Sequence, residues 1–135
     1  MTAGANAGLR VARPGFAELL LQVEHLGETV VAPAGVAVDR DARFPAEAFA
    51  AFRTARLLSA YIPVEFGGLG LGIAEICRIC ETLGRYCAST AMVYAMHQIQ
   101  VACIVHHGRD SVWMKNFLRR ICDEQLLLAD RKSVV

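Results

Sequence analysis

Between Ile73 and Cys87 the apolar residues Ile73, Ile76, Cys77, Cys80, Leu83, Gly84 and Cys87 fall at i, i+3, i+4, i+7, i+10, i+11 and i+14, while Glu75, Arg78 and Arg85 take the other side. This spacing winds one apolar stripe along an α-helix. The same period runs through Phe16, Leu19, Leu20, Val23, Leu26 and Val30 and predicts an earlier helix from about Pro14 to Asp39. Pro33 is expected to kink or interrupt it, because proline removes a backbone donor from the helix interior. Phe49, Phe52, Ala55 and Leu58 repeat the pattern between Pro45 and Leu58, with Arg53 and Arg56 left on the wet side. There Pro45 suits the first helical position, and Glu47 puts negative charge in the first turn.

A further helix is predicted from about Ser89 to His107, where Ser89 or Thr90 can cap the first N–H groups and Gly108 can end it. The last begins after Asp110 and carries Met114, Phe117, Leu118 and Ile121 on one stripe. Gln125 to Ala129 could begin a strand or extend that helix; no other segment reads as a strand. The pattern therefore predicts an all-α fold, a five-helix bundle.

Between the second and third helices lies Tyr61-Ile62-Pro63, which must be extended because a residue before proline is pushed out of the helical region. Gly67, Gly68, Gly70 and Gly72 follow. Their run GGLGLG lacks the lysine and Ser/Thr of a P-loop, and no apolar strand leads into it as in a dinucleotide fingerprint. It reads as a tight connection between packed helices.

Composition narrows the class. With 135 residues and 55% hydrophobic content, the chain can build the core of one domain. A net charge of +1, with basic residues scattered beside acidic ones, leaves no stripe to follow a phosphate backbone and argues against nucleic acid. The apolar tract Ala88 to Val105 approaches the length of a membrane span, but His97, Gln98 and Gln100 sit near its middle. Polar groups there would find no water in a bilayer, so a buried helix of a soluble protein is expected and no membrane span. Cysteines at 77, 80, 87, 103 and 122 form an odd set with no secretory leader before them, which fits a reducing compartment, cytoplasmic in preference to the mitochondrial matrix.

Three groups of side chains could carry chemistry. Cys77 and Cys80 have a Cys-x-x-Cys spacing suited to zinc or thiol exchange, yet both lie on the apolar stripe of a predicted helix, where cysteine acts as a small buried hydrophobe. No metal site is expected. His106 and His107 sit in a predicted last turn, where a cation is favoured by the helix dipole. His97, inside the apolar helix, must find a partner or line a cavity, and a satisfied core histidine is the expectation. No Ser/His/Asp or Cys/His pairing and no close carboxylate pair follows from the spacing, so no catalytic set is assigned.

Residues 1–13 are expected to be a disordered N-terminus and 14–129 the domain. Asp130-Arg-Lys-Ser-Val-Val135 carries no structure-forming pattern and reads as a non-native tail. It can be encoded by codons that resemble a sequencing-library adapter, an idea that an uninterrupted genomic frame through Val135 would sink.

The order of elements carries a resemblance: a kinked first helix ending in VDRDARFP, a helix ending in YIPVEFGGLGLG, then ETLGRYCASTAM, HHGRDSVWMKNFL and EQLLLA. Over about Phe16 to Ala129 this resembles the N-terminal helical domain of the acyl-CoA dehydrogenase family, most specifically at Pro63 to Gly70 and Cys87 to Ala91. The resemblance implies a flavoprotein that uses FAD to oxidise an acyl-CoA thioester to its 2,3-enoyl product, and a homo-oligomer when full length. It also implies that the catalytic base and most flavin contacts belong to domains outside these residues, so no catalytic or cofactor-binding residue is assigned here and the fragment is expected to be inactive and not to bind FAD tightly. This domain would supply one wall of the acyl pocket, at Met92, Val93, Met96 and Gln100. Two other readings stay open: a same-fold flavin-dependent monooxygenase, in which His97 could face flavin or substrate, and a non-enzymatic helical interaction module.

Overall fold

The computed structural model describes residues 15–108 and 110–129. The expectations for residues 1–13 and 130–135 lie outside them. Six α-helices follow in order among the described residues: α1 (Phe16–Leu26), α2 (Ala32–Arg40), α3 (Ala46–Thr54), α4 (Ile73–Gly84), α5 (Ala88–His107) and α6 (Val112–Glu124). A π-helical turn, Gly27–Val31, joins α1 to α2 with Gly27 and Val31 both in right-handed helical geometry, so the two form one rod. Five rods and no strand among the described residues make the fold all-α.

The disturbance assigned to Pro33 appears one turn upstream of it. A proline ring meets the carbonyl four residues earlier, here that of Thr29, inside the π turn. The Ala32 N–H accordingly reaches back five residues to the Gly27 carbonyl, and the widened turn takes up the ring without breaking the rod. Gly27 has a second role: a Cβ there would run into the Tyr86 ring.

Other boundaries also move. The second rod stops at Thr54, short of Leu58, because Arg56 adopts a left-handed conformation (φ 57°) and Leu57–Ser59 closes into a 3-10 turn. The third ends at Gly84, before Cys87. Capping of the fourth by Ser89 or Thr90 is not seen: Ala88 is already helical, behind an extended Cys87 with no side-chain cap. Gln125 turns left-handed (φ 48°) and ends α6, and Leu126 to Leu128 then run without regular structure, neither strand nor helix.

Two apolar clusters hold the rods together. The larger includes Val23, Phe49, Phe52, Leu57, Leu58, Ile79, Leu83 and Tyr94. Phe49, Phe52 and Tyr94 step through it, and the exposed Phe44 rests on Phe49 at its edge, with successive ring centroids from Phe44 to Tyr94 5.2, 5.2 and 5.8 Å apart. The smaller joins Ile62, Val101, Leu118, Ile121 and Cys122. The glycine-rich loop ties both clusters to α4 by folding back on itself. Leu69 N–H donates to Ser59 O (3.1 Å), Gly70 to Ile62 O (2.8 Å) and Leu71 to Ala60 O (2.9 Å). Gly68 lies so close to the Ile62 carbonyl that a Cβ would overlap it.

Candidate functional site

The site is built around α5, whose two sides invert the usual arrangement. Inward it buries Tyr94, His97, Gln98 and Val101, and outward it shows Met92 (63% exposed), Met96 (47%), Ile99 (54%) and Cys103. The polar side chains go inward because the 3-10 turn at Leu57–Ser59 presents carbonyls that can accept from them, Leu57 O beside its single backbone donor, the Ala60 N–H at 3.3 Å, and Leu58 O. Tyr94 Oη and Gln98 Nε2 both donate to Leu57 O, at 3.1 and 3.0 Å. His97 Nε2 reaches Leu58 O at 2.7 Å, and Leu128 N–H donates to His97 Nδ1 at 3.0 Å. A carbonyl only accepts and an amide N–H only donates, so the ring carries its proton on Nε2 and is neutral. Burial holds its pKa below the ordinary 6.5, against a smaller opposing pull from the Leu58 carbonyl.

Beside this buried network, α4 and α5 leave an apolar groove of about 720 Å³ between them. Ile73, Ile76, Cys77 and Cys80 form one wall, Ala95, Ile99, Ala102 and Cys103 the other. Tyr61 Oη and His106 Nε2, 2.8 Å apart, share a hydrogen bond at its edge. Gln98 also borders the groove, and its Oε1 is buried with no hydrogen-bond partner.

The four residues assigned to a pocket wall separate. Met92 and Met96 are exposed on the outer side of α5, Val93 is half-buried against the larger cluster, and Gln100 is half-buried. None of them lines the groove, which draws on the adjacent stripe at 95, 99, 102 and 103. Sequence reasoning missed this wall because α5 is apolar on every side, and apolar periodicity then gives no phase. It also placed Cys77 and Cys80 in the core; Cys77 is exposed and Cys80 half-buried, both facing the groove. Burial and the neighbouring Cys77 push the Cys80 thiol up to about 11, which keeps it protonated and a poor nucleophile or metal ligand. Among the described residues no three His, Cys, Asp or Glu side chains converge as metal ligands. His106 and His107 are exposed in the last turn of α5.

Helix α5 has the length and apolar composition to cross a membrane, with 39% of its most apolar window buried. The His97 and Gln98 bonds to α3-side carbonyls show one flank packed as in a protein core.

The glycine-rich loop offers no ready phosphate cradle. Its Gly67, Gly68 and Gly70 N–H groups are taken by Val64, Pro63 and Ile62 carbonyls, and that of Gly72 by Glu75 Oε2 at 2.7 Å. These glycine amides therefore offer no free donors to a pyrophosphate.

Comparison with known proteins agrees with this geometry. Residues 17–125 match the family model described as "Acyl-CoA dehydrogenase, N-terminal domain". The chain is 30% identical over 110 residues to cyclohex-1-ene-1-carbonyl-CoA dehydrogenase of Syntrophus aciditrophicus, covering 82% of this chain and 26% of that protein. To the protein of the same name from Geobacter metallireducens it is 33% identical over 98 residues, covering 73% and 26%. It thus spans about a quarter of the length of these relatives. With a matched N-terminal-domain model over most of its length and the all-α architecture to go with it, the chain belongs to the acyl-CoA dehydrogenase family.

Proposed function

We propose that the chain is the N-terminal part of a flavin-dependent acyl-CoA dehydrogenase that desaturates an acyl-CoA thioester between carbons 2 and 3. The observation that carries this reading, beyond family membership, is the uncovered apolar side of α5. Met92, Met96, Ile99 and Cys103 recur at i, i+4, i+7 and i+11 and face outward, Ile99 and Cys103 as part of the groove wall and Met92 and Met96 outside it. A single domain leaves such a stripe wet only where something apolar is meant to lie on it. An acyl chain and the apolar surfaces of further domains are what the family reading puts there, and two methionines make a soft wall that can adapt to chain shape. FAD would supply the hydride acceptor in the whole enzyme. No step is assigned to it here, because the glycine amides are already spent.

The fragment alone is inactive in this reading, since its described side chains include no carboxylate placed over the groove. The experiment adds FAD and a series of acyl-CoA thioesters to the 135-residue chain and follows flavin absorbance. No bleaching and no tight flavin binding are expected, and measurable turnover would overturn the assignment of a supporting role. In the same-fold monooxygenase reading His97 could face a flavin or substrate; in the described residues its ring is buried with both nitrogens engaged, so His97 gives that reading no support.

A further inference from the structure

We propose that His97 is a proton-operated latch: neutral, it holds the segment leaving α6 against the bundle, and protonated on Nδ1 it lets that segment go. This inference does not depend on the catalytic reading. The strap in question is Gln125 to Leu128. Leu127 packs on the larger cluster and Leu126 and Leu128 on the smaller, as alternate residues of an extended segment do. All three leucines are only half-buried. The base of the strap is held firmly: Gln125 Nε2 donates to Ser59 Oγ (2.9 Å) and Cys122 O (2.8 Å), and Leu126 N–H to Ile121 O (3.3 Å). Beyond Leu126, the strap's single main-chain hydrogen bond among the described residues is the one from Leu128 N–H to His97 Nδ1, 3.0 Å.

That bond depends on charge state. Nε2 must keep its proton for the Leu58 carbonyl, so any added proton goes to Nδ1. Nδ1–H would then face Leu128 N–H, donor against donor, and a buried imidazolium would have lost an acceptor contact while gaining none. Helix α5 is fixed by Tyr94 and Gln98 on Leu57 O and does not need the Leu128 contact to stay in place. The strap therefore yields before the helix does.

The other ionisable groups on the surrounding elements do not compete in this pH range. Tyr94 is raised far above neutrality by burial, Cys80 is pushed up to about 11, and burial also raises the Cys122 thiol, so all three stay uncharged. Arg53 and Arg56 donate to Gln125 O and Cys122 O. On α6, Asp123 and Glu124 are exposed, Glu124 paired with Arg120; on α5, His106 is exposed and bonded to Tyr61.

The test is amide hydrogen exchange by NMR on the 135-residue chain between about pH 7.5 and about pH 5, with protection factors corrected for intrinsic rates. Leu128 protection should fall at least about tenfold on acidification relative to Val101 in the middle of α5. In His97→Asn, whose side-chain oxygen can accept from Leu128 without titrating, protection should hold across the range. Leu128 protection that stays flat with pH in the wild type, or that falls only in step with Val101, would overturn the latch. So would the same acid loss in His97→Asn. If that variant does not fold, the wild-type ring nitrogens decide: Nδ1 protonation without loss of Leu128 protection refutes the proposal, and coincidence of the two supports it.

Discussion

Gly68 shows how one missing methyl group sets a loop. Its N–H bonds Pro63 O at 3.3 Å, and a Cβ would overlap the backbone carbonyl of Ile62, which has no room to retreat because it accepts from Gly70. Gly68→Ala should therefore cost about 3 kcal/mol in urea unfolding, at the upper end for overpacking. Gly72→Ala, where a Cβ would meet only Glu75 Oε2 at 3.7 Å, should cost under about 1 kcal/mol; equal effects would show that the close approach does not matter. Tyr94→Phe removes one of three donors to the Leu57 carbonyl, and Gln98 and the Ala60 N–H still satisfy it, so a loss near 1 kcal/mol is expected, on the order of one neutral hydrogen bond. His97 makes stability depend on pH. Its pKa is depressed by burial, so the folded chain takes up a proton less readily than the unfolded one. The contribution is then full above the ordinary 6.5 and is lost as pH falls from there through the folded value. Urea midpoints should drop between about pH 7.5 and about pH 5 in the wild type and drop less in His97→Asn. Its place inside an apolar helix flagged His97 as needing partners, but the identity of those partners lay in Leu58 and Leu128, 39 and 31 residues away.

At the scale of elements, the starts of the rods were legible because an apolar residue every three or four positions needs one buried side, and the α6 stripe follows this. Helix α4 turns a different side inward: Glu75, Ile79 and Thr82 are buried beside Ile76 and Leu83, while Ile73 and Cys77 of the expected stripe are exposed at the groove. Their ends were not legible. Arg56, Gln125 and Ala42 take positive φ without being glycine, and such turns are imposed by tertiary contacts such as the Arg56 bond to Cys122 O at 3.1 Å. Pro33 was correctly seen as a disturbance, but the sequence has no way to say that a π turn would absorb it upstream. Helix α5 was the least legible of all, since its phase is set by which carbonyls need donors and not by hydrophobicity. A simpler boundary can be checked directly. Ser111 Oγ accepts Met114 N–H at 3.3 Å and caps α6, so Ser111→Ala should lower stability by about 1 kcal/mol, and Ser111→Asp should restore most of it. No change in either variant would mean that the cap is made by water and not by the side chain.

At the scale of the whole molecule, the question is whether the outward stripe of α5 is surface or unfinished core. Exposure of Met92, Met96 and Ile99 at 63, 47 and 54%, with Ile73 at 65% on the facing helix, puts four large apolar side chains on one side of a chain that covers about a quarter of its relatives' length. If that side is wet in solution, Met96→Lys with Ile99→Lys should change unfolding free energy by no more than about 0.5 kcal/mol, as ordinary surface substitutions do. Val101→Ala, on the buried side of the same helix at 0% exposure, should cost about 2 kcal/mol because it opens a void in the smaller cluster. Binding of an apolar fluorescent dye should be strong in the wild type and fall severalfold in the double lysine variant, since the patch that attracts the dye would then carry two charges. A large stability loss from the lysines, together with a sedimentation mass of two chains, would mean instead that a second copy already covers the stripe. The two outcomes separate cleanly because lysine at a wet position keeps its hydration, whereas lysine forced into an apolar interface must be desolvated without a partner.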